Sequence, residues 1–187
     1  MPIRISMSQL LWVLVVTSNS LAGVKFVSTY KDPNVAPIDI HGQKVAAFVM
    51  TLRDEARIPA EEGLAKELTR RGVQGVPGYT LVPKELNKDL EAVRQLLAKA
   101  GVRGAVVLRV VGLASDARTS TNSEWYNDRF YPSFYGYYGW GWTSPYNLPQ
   151  ATIDTLITIE TIVYAVDQDK RVWAGRCETK APKKIEN

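Results

Sequence analysis

The spacing of apolar residues alternates between the two periods of regular structure. Lys44-Val45-Ala46-Ala47-Phe48-Val49-Met50 is a short, nearly unbroken apolar run, as in a buried strand. Beyond Pro59, a good first-turn residue, Leu64, Ala65 and Leu68 fall on one side of a helix. Glu61 and Glu62 suit its positive end, Arg70 and Arg71 its negative end, and Gly72 stops it. Tyr79-Thr80-Leu81-Val82, closed by Pro83, predicts a second strand. Leu86 to Ala100 reads as a second amphipathic helix with Leu90, Val93 and Leu97 on its apolar face and Gly101 as its stop. Ala105 to Val111 is a third strand, apolar enough to be central.

Near the C-terminus Thr152 to Val166 alternates, with Ile157, Ile159, Thr161 and Val163 on one face. Asp167 to Lys170 makes a turn, and Arg171 to Cys177 returns as a hairpin partner. Upstream, Lys25 to Gln43 is a proline-punctuated, extended lead-in. The fold class is therefore α/β. It has a β-α-β-α-β core with right-handed crossovers, plus a C-terminal β-hairpin, in a mixed sheet of about five strands with two helices.

One segment breaks the pattern. From Ser115 to Asn147 there is no Leu, Ile, Val or Met, yet Trp125 to Tyr146 holds 11 of the 18 aromatic residues. A core needs interlocking aliphatics, whereas Tyr and Trp keep a polar atom near water and dominate contact surfaces. Residues 115–150 are thus expected to be a Gly/Tyr/Trp-rich insert presenting a contact surface. Its candidate binding residues are Trp125, Tyr126, Tyr135, Tyr137, Tyr138, Trp140 and Trp142. The competing reading folds these rings back over a sheet face, with Gly136, Gly139 and Gly141 permitting tight turns.

Composition narrows the function. Hydrophobic residues make up 45% and charged residues 22%, ordinary for a folded domain. The net charge of +4 is thinly spread, and Arg129 is the sole cation between Thr119 and Asn147. A nucleic-acid partner is not expected. Arg4, the apolar run Leu10 to Val16, and small residues at Ser20 and Ala22 read as a signal peptide over residues 1–22. Residues 23–187 then form one exported envelope domain, periplasmic or envelope-associated. Leu21-Ala22-Gly23 would precede a lipidated cysteine, but Val24 has no thiol, which argues against a lipid anchor.

No catalytic set stands out. His41 is the single histidine and Cys177 the single cysteine, so neither a metal site nor a nucleophile triad is expected, and no cofactor is implied. The glycines from Gly72 to Gly78 follow a helix, so a turning loop explains them better than a phosphate cradle. Asp116, Glu124, Asp128 and Asp154 lie near the aromatics, where a sugar-processing site would want carboxylates. They are more simply solvated loop charges.

Several phrases resemble a family of small, uncharacterised bacterial cell-envelope lipoproteins. They are Ser28 to Pro33, Glu62 to Gly72 ending in Arg-Arg-Gly, Tyr79 to Val111, the Gly/Tyr/Trp insert, and Val172-Trp173-Ala174-Gly175. That resemblance implies an envelope location and carries over no catalytic residue. The expected function is non-enzymatic binding or scaffolding through the insert, with an envelope protein, a glycan or a membrane interface as partner. A carbohydrate-binding or carbohydrate-processing role is the alternative.

Overall fold

The computed structural model describes residues 25–33, 39–114, 131–143 and 156–180. The strands are β1 (Lys25–Lys31), β2 (Lys44–Val49), β3 (Gln74–Pro77), β4 (Val102–Ala114), β5 (Leu156–Ala165) and β6 (Lys170–Lys180). The helices are α1 (Asp54–Arg70), the single turn α2 (Gly78–Leu81), α3 (Leu90–Lys99) and α4 (Phe134–Thr143). One mixed sheet runs in the order β1-β6-β5-β4-β2-β3. Only β2 pairs in parallel, with β3 on one side and β4 on the other. The expected α/β class holds. The sixth strand comes from the lead-in, which pairs antiparallel with β6.

Alternation along β2 feeds two cores. Val45 and Ala47 pack with Ala65 and Leu68 of α1 and with Val106. Ala46 and Phe48 point the other way, into a larger cluster containing Val93 and Leu97 of α3 and the rings of α4. Cover on both faces is why β2 reads as an unbroken apolar run. The chain steps outward from β2 to β3, then back across to β4. Crossovers of one hand in opposite directions put α1 and α3 on opposite faces.

Three boundaries differ from expectation, each for a local reason. Helix α1 starts at Asp54, five residues before Pro59, with Asp54 and Glu55 in its positive first turn. The second strand is Gln74–Pro77, and Tyr79 belongs to α2. Gly75 makes this possible, because a Cβ there would run into the Ala65 carbonyl oxygen. A Cβ at Gly78 would run into the Phe48 ring. These glycines serve close approach of backbone to neighbours, not a free loop. Glu61, fully buried, then accepts the backbone N–H of Val49 (3.1 Å) and of Tyr79 (2.6 Å), replacing ladder bonds where β2 and β3 end. Finally, α3 begins at Leu90, because the Asp89 carboxylate accepts the Ala92 N–H at 3.0 Å as its N-cap.

These contacts give paired expectations. Gly75→Ala drives a methyl into backbone and should cost about 2 kcal/mol or more, within the range for overpacking. Gly63→Ala meets open space in the middle of α1 and should stabilise by about 0.5–1 kcal/mol. Urea unfolding of both variants checks this, and equal midpoints would contradict the tight β3–α1 approach.

Candidate functional site

The aromatic segment contains a helix, α4, and its start is fixed from two directions. The Ser133 hydroxyl accepts the Gly136 N–H at 3.0 Å, a side-chain cap. Asp169, in the β5–β6 turn with φ +49°, accepts from the Ser133 hydroxyl (2.9 Å) and from the Tyr135 N–H (3.0 Å). A carboxylate is favoured at a helix N-terminus. Gly139 and Gly141 lie inside the helix rather than in tight turns. A Cβ at Gly141 would run into the Met50 sulfur, and one at Gly139 would crowd Leu90 at 3.1 Å. Each glycine weakens the helix by ~1 kcal/mol relative to Ala. In return the helix backbone comes close to Met50, just past β2, and to Leu90 of α3.

This placement corrects the expectation of an exposed aromatic surface. Tyr137 and Tyr138 are fully buried, and Tyr135 and Trp142 are 5% exposed. Trp140 is half-buried against the same cluster. Trp125 and Tyr126 lie outside the described residues. Phe134 packs edge-on to Tyr135 (4.9 Å) and Tyr164 (5.6 Å), and Tyr138 edge-on to Phe48 (5.1 Å). Such ring pairs fill space much as aliphatics do. The segment needs no Leu or Val of its own because β2, α3, β4 and β5 supply them.

Beneath α4 lies a buried ionic cluster. Arg109 of β4 and Arg176 of β6 both sit directly opposite Glu160 of β5 in the strand register. Arg176 donates to Glu160 Oε2 through Nε at 3.1 Å and pairs through Nη2 at the same distance. Arg109 Nη2 lies 3.8 Å from Oε1. The Tyr137 hydroxyl donates to Oε1 at 2.8 Å and the Tyr131 hydroxyl at 3.2 Å. Arg109 is also stacked 4.0 Å over the Trp140 ring. Glu160 is fully buried, and its two oxygens are occupied by these donors. Through the two phenols the carboxylate ties the aromatic segment to the sheet.

The aromatic segment reaches open space at the far end of α4. Trp142 lines a cleft of about 320 Å³ just past the carboxyl end of β2, with Thr51, Leu52, Arg57, Asn87 and Lys88. In open α/β sheets ligands sit outside the carboxyl ends of strands, where the chain's direction of travel reverses. Here β2 is that strand. Arg57 is buried, bonded to Asp54 at 3.1 Å, and lies 5.9 Å from the Trp142 ring centre. Lys84 pairs with the same carboxylate at 3.0 Å. Its hydrogen bond to Lys84 and the nearby cations hold the Asp54 carboxyl below its ordinary range. Asn87, buried, accepts from the Tyr138 hydroxyl at 2.8 Å. Leu52 stands 47% exposed at the rim.

Of the sequence candidates among the described residues, only Trp142 borders this cleft. The basic and polar residues around it were not foreseen. The one available signal was position, since Thr51 and Leu52 follow the first buried strand and precede a helix. His41 is exposed, its N–H bonded to Asp39, and its ring lies beside Gly72. Cys177 is half-buried, which pushes its thiol pKa up. Asp116, Glu124, Asp128 and Asp154 lie outside the described residues. Among the described residues no His/Cys/Asp/Glu group could hold a metal ion, and no helix is long and apolar enough to cross a membrane.

No protein-family model matches the sequence, and no curated protein matches it. Among solved structures, the chain is similar to the PelC dodecamer from Paraburkholderia phytofirmans in two crystal forms. In one, identity is 13%, covering 88% of this chain and 85% of that chain, with a TM-score of 0.43. In the other, identity is 11%, with 88% and 86% covered, at the same TM-score. Lipoprotein GNA1162 from Neisseria meningitidis is 11% identical over 78% of this chain and 85% of that chain, with a TM-score of 0.41.

The buried cluster makes two expectations. Burial pushes the Tyr131 phenol up to about 12 and raises Tyr137, Tyr138 and Tyr164 as well. A raised phenol keeps its proton in the fold while the unfolded chain loses it near pH 10. Stability should therefore fall as pH rises above about 10. The tyrosinate absorbance of these rings should appear only together with loss of the folded circular dichroism. Titration of all tyrosines near pH 10 in a still-folded chain would contradict the burial. Separately, Glu160→Gln removes the carboxylate that Arg109 and Arg176 share and should cost about 3–5 kcal/mol in urea unfolding.

Proposed function

We propose that this chain is an exported, non-enzymatic protein of the bacterial envelope that works by binding, with the cleft beside Trp142 as its contact site. The observation that carries this reading is the meeting, past the end of β2, of a buried Trp142, a buried Arg57 and an exposed Leu52 around one cavity. An apolar rim with a few converging polar groups is the usual make-up of a binding pocket. The aromatic insert contributes as a scaffold. It fixes Trp142 and, through Tyr138 and Asn87, one wall of the cleft.

The partner this cleft suits is a segment or small molecule with an apolar group and a negative charge. Arg57, Lys84 and Lys88 outnumber the carboxylates of Asp54 and Glu85 there. A sugar-stacking platform is less well supported. It needs open ring faces, and Trp142 is 5% exposed. The leader pattern at residues 1–22 supports export, and Val24 supports release without a lipid.

A photo-crosslinking residue at Leu52 of the full-length chain, expressed in a bacterial envelope, tests this. A discrete adduct should form from position 52, fade when Lys84 and Lys88 are both changed to Glu, and be missing from Lys66 on the exposed side of α1. Equal labelling from positions 52 and 66, or none from either, would overturn the reading. N-terminal mass analysis of the same sample should find a mature chain starting near Gly23, and an intact Met1 would refute export.

A further inference from the structure

The sheet face opposite α4 carries a second cavity. Helix α1 covers only part of that face. Between the helix and strands β4 to β6 runs a groove of about 140 Å³ lined by Val45, Leu68, Val106, Leu108, Val163 and Trp173. It is comparable in size to the ~150 Å³ apolar cavity that takes up benzene in another protein. Three charged residues also line it: Glu67 and Arg71 near the end of α1, and Arg103 near the start of β4.

Arg71 is the informative one. Its side chain is 7% exposed, and it is tied to Glu67 by Nε at 2.6 Å and by Nη2 at 2.5 Å. Its remaining nitrogen, Nη1, is buried with no acceptor. Buried guanidinium nitrogens are ordinarily hydrogen-bonded, so this donor stands ready for an oxygen the chain itself does not supply. Arg103, exposed at the same mouth, pairs with Asp167 at 2.8 Å. Glu67 and Asp167 offset the two guanidiniums, so what the groove's end offers is one buried donor without an acceptor, while the rest of the groove is aliphatic and aromatic.

We infer that this groove binds the carboxylate end of a medium-chain fatty acid, with Arg71 Nη1 donating to the carboxylate and the alkyl chain lying along Val106, Leu108 and Val163. The site is independent of the cleft beside Trp142, which lies past the other end of β2. The unpartnered Arg71 donor sets the head group, and the apolar lining sets the tail. The volume sets its length, on the order of six carbons within the groove, with longer tails running out over the open side.

Calorimetric titration of the full-length chain with hexanoate, octanoate, octanol and acetate tests this. Octanoate should bind, acetate should not, and affinity should rise by less than about fourfold per added methylene between hexanoate and octanoate, whose last carbons lie on the open side. Arg71→Met should weaken octanoate at least tenfold while leaving octanol unchanged. Thr161→Phe, which fills the groove from β5, should abolish both. Folding of each variant is checked by its circular-dichroism melt. Arg103→Met, at an exposed position, serves as a second, milder charge variant should Arg71→Met fail to fold, and should weaken octanoate a few-fold. Failure of octanoate to bind, or equal binding of octanoate by wild type and both charge variants, would overturn the inference. So would concentration-dependent dimerisation of the wild type that Thr161→Phe removes, since a second copy would then be the occupant.

Discussion

One buried carboxylate organises this protein. Glu160 sits in the middle of a three-strand row, between Arg109 and Arg176, and receives the hydroxyls of Tyr131 and Tyr137 from above. Charges taken out of water are costly unless fully partnered. Here partnership requires β4, β5 and β6 in register and the aromatic segment seated over them. That requirement selects a single arrangement. A one-residue slip of β5 would turn Glu160 to the other face and take its carboxylate away from both arginines. Asp169 repeats the device at smaller scale, joining the β5–β6 turn to the start of α4.

This dependence explains what could be read from the residues alone. β2, α1 and β4 were legible because their periods are local, and the β5–β6 hairpin because Asp167 to Lys170 marks its turn. β3 was misplaced because Gly75 and Gly78 are there for contacts with Ala65 and Phe48, residues far away in sequence. The aromatic segment was misjudged for a related reason. Tyr and Trp are equally at home in a contact surface and in a core whose polar positions await their hydroxyls. Only strand register reveals that Glu160 lies where Tyr137 can reach it. The hydrophobic partners of α4 are contributed by other elements, so its lack of Leu and Val was no guide to its burial.

Burial of the rings changes where contact with other molecules is to be sought. The segment spends Tyr135, Tyr137 and Tyr138 on the core and delivers Trp142 to the rim of a cleft at the carboxyl end of β2. On the reverse face α1 leaves an apolar groove with an arginine donor unspent. Two cavities of different chemistry thus flank one sheet, one mixed in charge, the other apolar with an arginine donor at its end.

The central claim is that α4 belongs to the cooperative core. Native-state hydrogen exchange measures this directly, because each amide reports the opening that exposes it. The α4 amides of Tyr137, Tyr138 and Gly139 should exchange in the slowest class, together with Val107 of β4 and Ile162 of β5, through global unfolding. Rapid exchange of α4 while β4 and β5 stay protected would show a detachable segment and contradict the account.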